Sequence, residues 1–355
     1  MKYFSLFSGI GGFELGIQQA YEINNEHALK CQESKQEKCS QGRVRSFTES
    51  ELQLHPRNWS APLCIGFSEI DKYATEIYQK HFPNHKNYGD ITKINEKELP
   101  DFDLLVGGFP CQAFSIAGKR GGFEDTRGTL FFEIARIVRE KQPRLLLLEN
   151  VKGLLSHNKG KTFYTIISIL DELGYDIQWQ VLNSKNHGVP QNRERVFIIG
   201  HLRGTPRPEV FPFGESDEKN DLEIDILGHK DKYRRANQVF NPSGITETLS
   251  TCGGGGQHPC TLNEQEPFIR NPYNGKTSNK ESGTLGTSCG TSTGKTAQHL
   301  YRDCTVRRLT PTECERLQGF PDGWTEGLSD TQRYKTLGNA VTVNVIRDLI
   351  KKIYE

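Results

Sequence analysis

Lys2–Phe7, Phe102–Val106 and Arg144–Leu148 constrain the chain more than any other stretches. Each is a short apolar run that stops abruptly, the first two at small residues and glycines, the third at a carboxylate. Short apolar runs bounded by turn residues read as buried strands. Helical patterns follow, to about Ile23, over Thr129–Glu140 and over Phe163–Leu173. Strand, tight loop and helix in repetition predict an open α/β sheet. In such sheets chemistry sits just beyond the carboxyl ends of the strands. The residues after each run are therefore the candidates.

Gly107-Gly-Phe-Pro-Cys111 follows the second run. A thiolate is a soft nucleophile whose pKa answers to local charge and exposure. Cys111 is a candidate nucleophile, or else a small core or turn residue. Glu149 ends the third run, where burial beside a substrate would suit a general acid; capping the next loop is the alternative. Arg193 and Arg195 open a later strand and point the same way, because side chains alternate along a strand. They suit a phosphate, a carbonyl oxygen or a carboxylate.

The first run leads into Ser8-Gly-Ile-Gly-Gly-Phe-Glu-Leu-Gly16. Strand, glycine loop and helix open a nucleotide-binding sheet. Glu14 occupies the last slot of the usual glycine spacing, so the match is partial. Leu63–Phe67 is the next strand, and Glu69 stands just past its end. A carboxylate there holds a ribose diol in nucleotide folds, or else caps the helix predicted over Asp71–Phe82. Asp90 offers a second acidic turn.

Between these strands, Asn24–Pro62 is polar and poor in periodicity. It reads as a surface insertion or flexible excursion. From His201 to Arg302 regularity fades into glycine, proline, threonine and asparagine. That region predicts a small, loop-rich domain able to carry recognition. Residues 1–200 form the expected main domain, and 303–355 return to it. Cys314–Gln318 and Thr342–Tyr354 read as helices.

Composition excludes several classes. With 45 Lys and Arg against 44 Asp and Glu, the net charge is +1, so any basic surface is local. No run of about 18 apolar residues exists, so no membrane span is expected. The nine cysteines make no Cys-x-x-Cys pair, which signals neither a zinc ribbon nor a disulfide framework and suits a reducing cytoplasm. No metal site is expected.

Six motifs occur in order: Phe7-Ser-Gly-Ile-Gly-Gly-Phe13, Gly108-Phe-Pro-Cys-Gln112, Glu149-Asn-Val151, Gln191-Asn-Arg-Glu-Arg195, Arg316-Leu-Gln-Gly-Phe-Pro321 and Gly338-Asn-Ala-Val341. Together they resemble the DNA (cytosine-5)-methyltransferases of bacteria and phages. The resemblance spans nearly the whole chain except Asn24–Pro62 and the middle of His201–Arg302. Ser5 departs from it, since many members carry an aspartate on the first strand.

The resemblance implies a doubly wound, mainly parallel sheet and a target-recognition domain across a DNA-binding cleft. It implies methyl transfer from S-adenosylmethionine to carbon 5 of cytosine in a specific double-stranded DNA sequence, with the base flipped out. Cys111 would attack carbon 6, Glu149 would protonate ring nitrogen 3, and Arg195 would bind the carbonyl at position 2. Phe7, Gly9, Gly11 and Gly12 would carry the cofactor, with Glu69 on its ribose and Asp90 on its adenine. Ile70, Ile91, Pro110, Leu130, Asn339 and Val341 would line it. Ile116–Gly128 would close over the base. The expected setting is a cytoplasmic monomer that protects DNA against a cognate restriction endonuclease. An RNA cytosine methyltransferase of the same family is the alternative.

Overall fold

The computed structural model describes residues 1–40, 61–110, 130–213, 226–229, 238–240, 245–249, 260–264, 268–270, 277–278, 299–301 and 304–354. The apolar runs become strands β1 (Lys2–Leu6), β3 (Leu104–Gly108) and β4 (Leu145–Val151), with β2 at Leu63–Ser68. Strand β5 spans Tyr175–Asn183, a two-residue β6 covers Gln191–Asn192, and β7 is Glu194–Leu202. One six-stranded sheet runs in the order β2-β1-β3-β4-β7-β5. β1 to β4 are mutually parallel, while β7 is antiparallel to both of its neighbours. The strand order reverses between β1 and β3, which makes their carboxyl ends the place for a ligand.

Both faces of the sheet are covered. Tyr3, Leu104, Val106, Leu145, Leu147, Phe197 and Ile199 pack in one cluster. Phe4, Leu6, Leu105, Leu146, Leu148, Val196 and Ile198 pack in the other. Consecutive residues alternate between faces because a strand has period two. Leu145 to Leu148 are each fully buried, and burying a leucine contributes about 1.5–3 kcal/mol.

The first cluster is closed by α1 (Gly12–Ser40) and the last helix. Helices α3 (Leu130–Lys141) and α4 (Lys161–Glu172) close the second. Helix α2 (Lys72–His81) is capped by Asp71, whose Oδ1 accepts the N–H groups of Tyr73 and Ala74 at 2.9 and 3.2 Å. Three helices end the chain: α5 (Pro311–Leu317), α6 (Asp330–Asn339) and α7 (Val343–Tyr354). A Cβ on Gly16 would come within 2.7 Å of Ile346, so glycine lets α1 and α7 touch.

Two elements differ from the expectation. Helix α1 does not end near Ile23 but continues to Ser40. The sequence of its second half is mostly polar, and its Glu, Gln, Lys and Ala residues are good helix formers. Residues 24–40 of the stretch read as a surface insertion or flexible excursion are thus helical, while 41–60 lies outside the described residues. Helix α6 escaped the sequence reading, since Asp330-Thr-Gln-Arg-Tyr-Lys shows no apolar stripe.

Two compact units are present. One is Met1–Asp221 with Glu247–Gly253 and Pro311–Glu355; the other is Leu222–Thr246 with Gly254–Thr310. The expected boundary at 200 falls inside β7, and Val210 beyond it is buried in the first unit's core. The second unit holds a four-stranded sheet, Cys304–Arg308, Cys260–Glu264, Gln238–Phe240 and Ile226–His229 in spatial order. A three-stranded sheet of Thr277–Ser278, Phe268–Arg270 and His299–Tyr301 accompanies it. No described helix is long and apolar enough to cross a membrane.

Candidate active site

Directly after β1 the backbone turns left-handed. Phe7 has φ +53°, Gly9 +55° and Gly11 +90°. Ser8 steadies the turn by donating to Ser5 Oγ at 2.9 Å, so Ser5 serves as a local bracket. The Gly9 N–H donates to Glu69 Oε2 at 2.9 Å. Glu69 Oε1 takes the N–H groups of Ile70 and Asp71, both at 2.8 Å. One carboxylate thus joins the ends of β1 and β2. Ile70 beside it is 75% exposed, an apolar side chain left open at the strand ends.

The next turn is built by Asn87. Its Oδ1 accepts the Gly89 N–H at 2.8 Å and its Nδ2 donates to Glu69 O at 3.1 Å. Asp90 follows as the cap of a short helical turn. The Thr92 hydroxyl and N–H bond its Oδ1 at 2.8 and 3.0 Å and hold the carboxyl below the usual carboxylate range. Ile91 is buried, and its carbonyl accepts from Arg136 at 3.0 Å. Its side chain belongs to the core under the turn.

Glu149 and Arg195 meet at the same edge of the sheet. In the antiparallel register Glu149 faces Phe197 and Val151 faces Arg195. The two charged residues are therefore diagonal neighbours on one face. Arg195 Nε lies 2.9 Å from Glu149 Oε1, with side-chain exposures of only 16% and 12%. A Cβ on Gly108 would stand 3.1 Å from Glu149 Oε2, so β3 must be bare there. The Asn150 amide donates to Phe109 O at 2.8 Å and fixes the chain as it enters Pro110. Pro110 is exposed. Cys111 and Ile116–Gly128 lie outside the described residues. Leu130 opens α3 just after them.

Arg193 has a role of its own. It is 3% exposed and donates to Gly338 O and Ala340 O at 3.2 and 2.8 Å. Burial, aided by Arg195, pulls its pKa down to about 9. Gln318 holds the same segment, donating to Leu337 O at 2.8 Å and accepting from Thr342 Oγ1 at 2.9 Å. Asn339 is thereby exposed on a fixed backbone, and Val341 presses on the glycine loop. A Cβ on Gly12 would fall 2.8 Å from Val341 Cγ1. Sequence reading singled out the arginine pair and, through the resemblance, gave Arg195 a task but gave Arg193 none. It did not foresee Asn150, Asn87 or Gln318 as brackets either; these side chains bond to backbone that is distant in sequence, and no spacing announces that.

The description C-5 cytosine-specific DNA methylase matches residues 59–355 of the chain. The chain belongs to this family. It is 40% identical to Type II methyltransferase M.SsoII of Shigella sonnei over 99% of this chain and 79% of that one. It is 36% identical to Type II methyltransferase M1.ScrFI of Lactococcus lactis subsp. cremoris over 100% of this chain and 78% of the relative. Among solved structures, S. pombe Dnmt2 superposes with a TM-score of 0.61 at 18% identity, covering 99% of this chain and 97% of that one. Dnmt2 shares the fold with this DNA methylase; at that identity the likeness says no more. As a member of the family, the chain is a DNA (cytosine-5-)-methyltransferase. The resemblance drawn from the six motifs is confirmed, and so is the α/β methyltransferase sheet.

Proposed function

We propose that the chain transfers a methyl group from S-adenosylmethionine to carbon 5 of cytosine within one double-stranded DNA sequence, through a covalent bond from Cys111 to carbon 6. The observation that carries this is the Glu149–Arg195 pair, poised 2.9 Å apart at the sheet edge beside the chain that leads to Cys111.

The residues suit the cofactor. Nothing stands within 4 Å of where a Gly9 Cβ would be, which leaves room against the backbone. Glu69 and Asp90 offer carboxylate oxygens for a ribose diol and an adenine amine. Exposed Ile70 offers an apolar face for the base. Phe7, Gly9, Gly11 and Gly12 form the proposed floor, with Ile91, Pro110, Leu130, Asn339 and Val341 around it. When bound, S-adenosylmethionine supplies the methyl group.

The chain's own residues do the rest. The Cys111 thiolate adds to carbon 6, and Glu149 hands a proton to ring nitrogen 3 as the ring gains electrons. Arg195, braced on Glu149, binds the oxygen at position 2 and stabilises its charge. Carbon 5 is then nucleophilic. After methylation the carbon 5 proton passes to water, the freed electron pair re-forms the ring double bond and expels the Cys111 thiolate, and nitrogen 3 returns its proton to Glu149. Attack on carbon 6 comes from the face of the ring, which stacking covers inside a duplex, and nitrogen 3 is base-paired there, so the base is flipped out. Base readout falls to the expected recognition region 201–302, and the Type II names of the relatives support a modification role beside a cognate endonuclease.

Duplex DNA carrying 5-fluorocytosine at the target tests the reading. Fluorine cannot leave as a proton does, so a covalent adduct at Cys111 should persist in denaturing mass spectrometry. An adduct that survives in Cys111→Ala, or that forms on RNA in place of DNA, would overturn it.

A further inference from the structure

The segment between α5 and α6 takes no part in the chemistry above, yet it reaches the glycine loop. Trp324 is 7% exposed, and its indole N–H donates to Ile10 O at 2.9 Å. Ile10 lies between Gly9 and Gly11. The indole also stacks on His81 of α2, with ring centroids 3.5 Å apart and planes 5° from parallel. Phe320 lies 5.3 Å away, and a Cβ on Gly12 would come within 3.4 Å of its ring.

Trp324 is itself held firmly. Glu315 is fully buried and accepts the N–H groups of Gly323 and Thr325 at 2.7 and 2.8 Å. It also pairs with Arg333 at 2.9 Å. Burial pushes the Glu315 carboxyl up, but hydrogen bonds from Thr325, Arg333 and Gly323 outweigh that and hold it below the usual range. A buried anion therefore fixes the turn that presents the indole.

Peptide planarity turns this contact into control of the loop. The carbonyl of Ile10 and the N–H of Gly11 belong to one rigid plane and point opposite ways. Gly9 and Gly11 have positive φ, a region glycine enters and leaves at little cost. Two bonds fix that plane, the Gly11 N–H on Ser8 O at 3.1 Å and the Trp324 indole on Ile10 O, and without the second only the first resists its turning.

We propose that Trp324 is a positioning residue for the cofactor: it locks the Ile10–Gly11 peptide plane, and with it the glycine loop, from the far end of the chain. This rests on the cofactor reading of Gly9–Gly12 given above.

Trp324→Phe keeps an aromatic ring beside His81 and removes the donor together with part of the indole's bulk. In calorimetry on the full chain without DNA, S-adenosylmethionine should bind about tenfold more weakly, the equivalent of one hydrogen bond. At saturating cofactor, kcat should stay within about twofold. Without cofactor, amide hydrogen exchange over residues 7–13 should quicken in the variant more than over β3 and β4, while the melting temperature falls by only a few degrees. Unchanged affinity together with unchanged exchange would overturn the proposal. Should the variant not fold, the wild-type indole N–H of Trp324 gives the answer by NMR. It should exchange slowly and shift when S-adenosylhomocysteine is added; rapid exchange with no shift would overturn the proposal. Failure of the wild type to bind S-adenosylmethionine would sink the cofactor reading instead.

Discussion

Glu149 is committed to Arg195 before any substrate arrives, at 2.9 Å in a mostly buried setting. Glu149→Gln keeps the shape and loses the proton. Methyl transfer should slow by about 10²–10⁴-fold, with cofactor affinity nearly unchanged by calorimetry. Loss of cofactor binding would make the residue structural. Glu14 tests a different kind of buried acid. It is 1% exposed, and burial lifts its pKa to about 7. Neither oxygen has an aligned hydrogen bond, although Ser5 and Tyr78 are close enough to favour the anion slightly. A raised carboxyl pKa means that the folded chain keeps a proton the unfolded chain has released. Its stabilisation is full below the unfolded pKa of 4.5 and is lost as pH rises toward about 7. Glu14→Gln should therefore raise the melting temperature relative to wild type more at about pH 8 than at about pH 5, by up to ~3 kcal/mol in stability. An equal effect at both would mean that the carboxyl is already ionised or already paired.

Helix α1 divides at about Ala20. Phe13, Ile17 and Ala20 are buried with Val345, Ile346 and Leu349 of α7. From Tyr21 to Glu26 no residue is buried. Packing, rather than propensity, supplies most helix stability in a protein, so the helix beyond its apolar end adds little to the core. Replacing Asn24–Pro62 by a short Gly/Ser linker should leave the melting temperature within a few degrees and methyl transfer intact. β2 would still start at Leu63, bonded to Met1 O at 2.9 Å. A soluble but inactive product would show that the segment binds something the reaction needs.

At the scale of the molecule, the candidate chemistry lies in the first unit. Glu149, Arg195, Glu69 and the glycine loop all belong to it. The described residues of the second unit lie mostly in short strands. Phosphate contacts position a duplex, and base-edge contacts select the sequence. Exchanging the recognition region with that of a related methyltransferase should move the target site, read by bisulfite sequencing, with little change in cofactor affinity. The exchange should begin at Leu222, not at 201, because His201, Leu202 and Val210 are part of the first unit. An active chimera that keeps the recipient's target would place recognition elsewhere.

The sequence by itself determined the strands of the six-stranded sheet, the order of the motifs and the residue types at their ends, but not the short strands of the second unit. A run such as Leu145–Leu148 has nowhere to go but the middle of a sheet, and a glycine or carboxylate after it marks the edge. The helices with apolar stripes were legible for the same reason, and α6 was not because it has none. What only the tertiary structure decided is how distant residues meet. Arg195 reaches Glu149 because β7 runs antiparallel and brings its start to the edge where β4 ends. Arg193 grips Gly338 and Ala340 across 145 and 147 residues, and Trp324 grips Ile10 across 314. These are side chains bonded to backbone carbonyls, and every residue offers the same carbonyl. No pattern in the sequence can say which one is chosen, because the choice is made by the packing of whole elements.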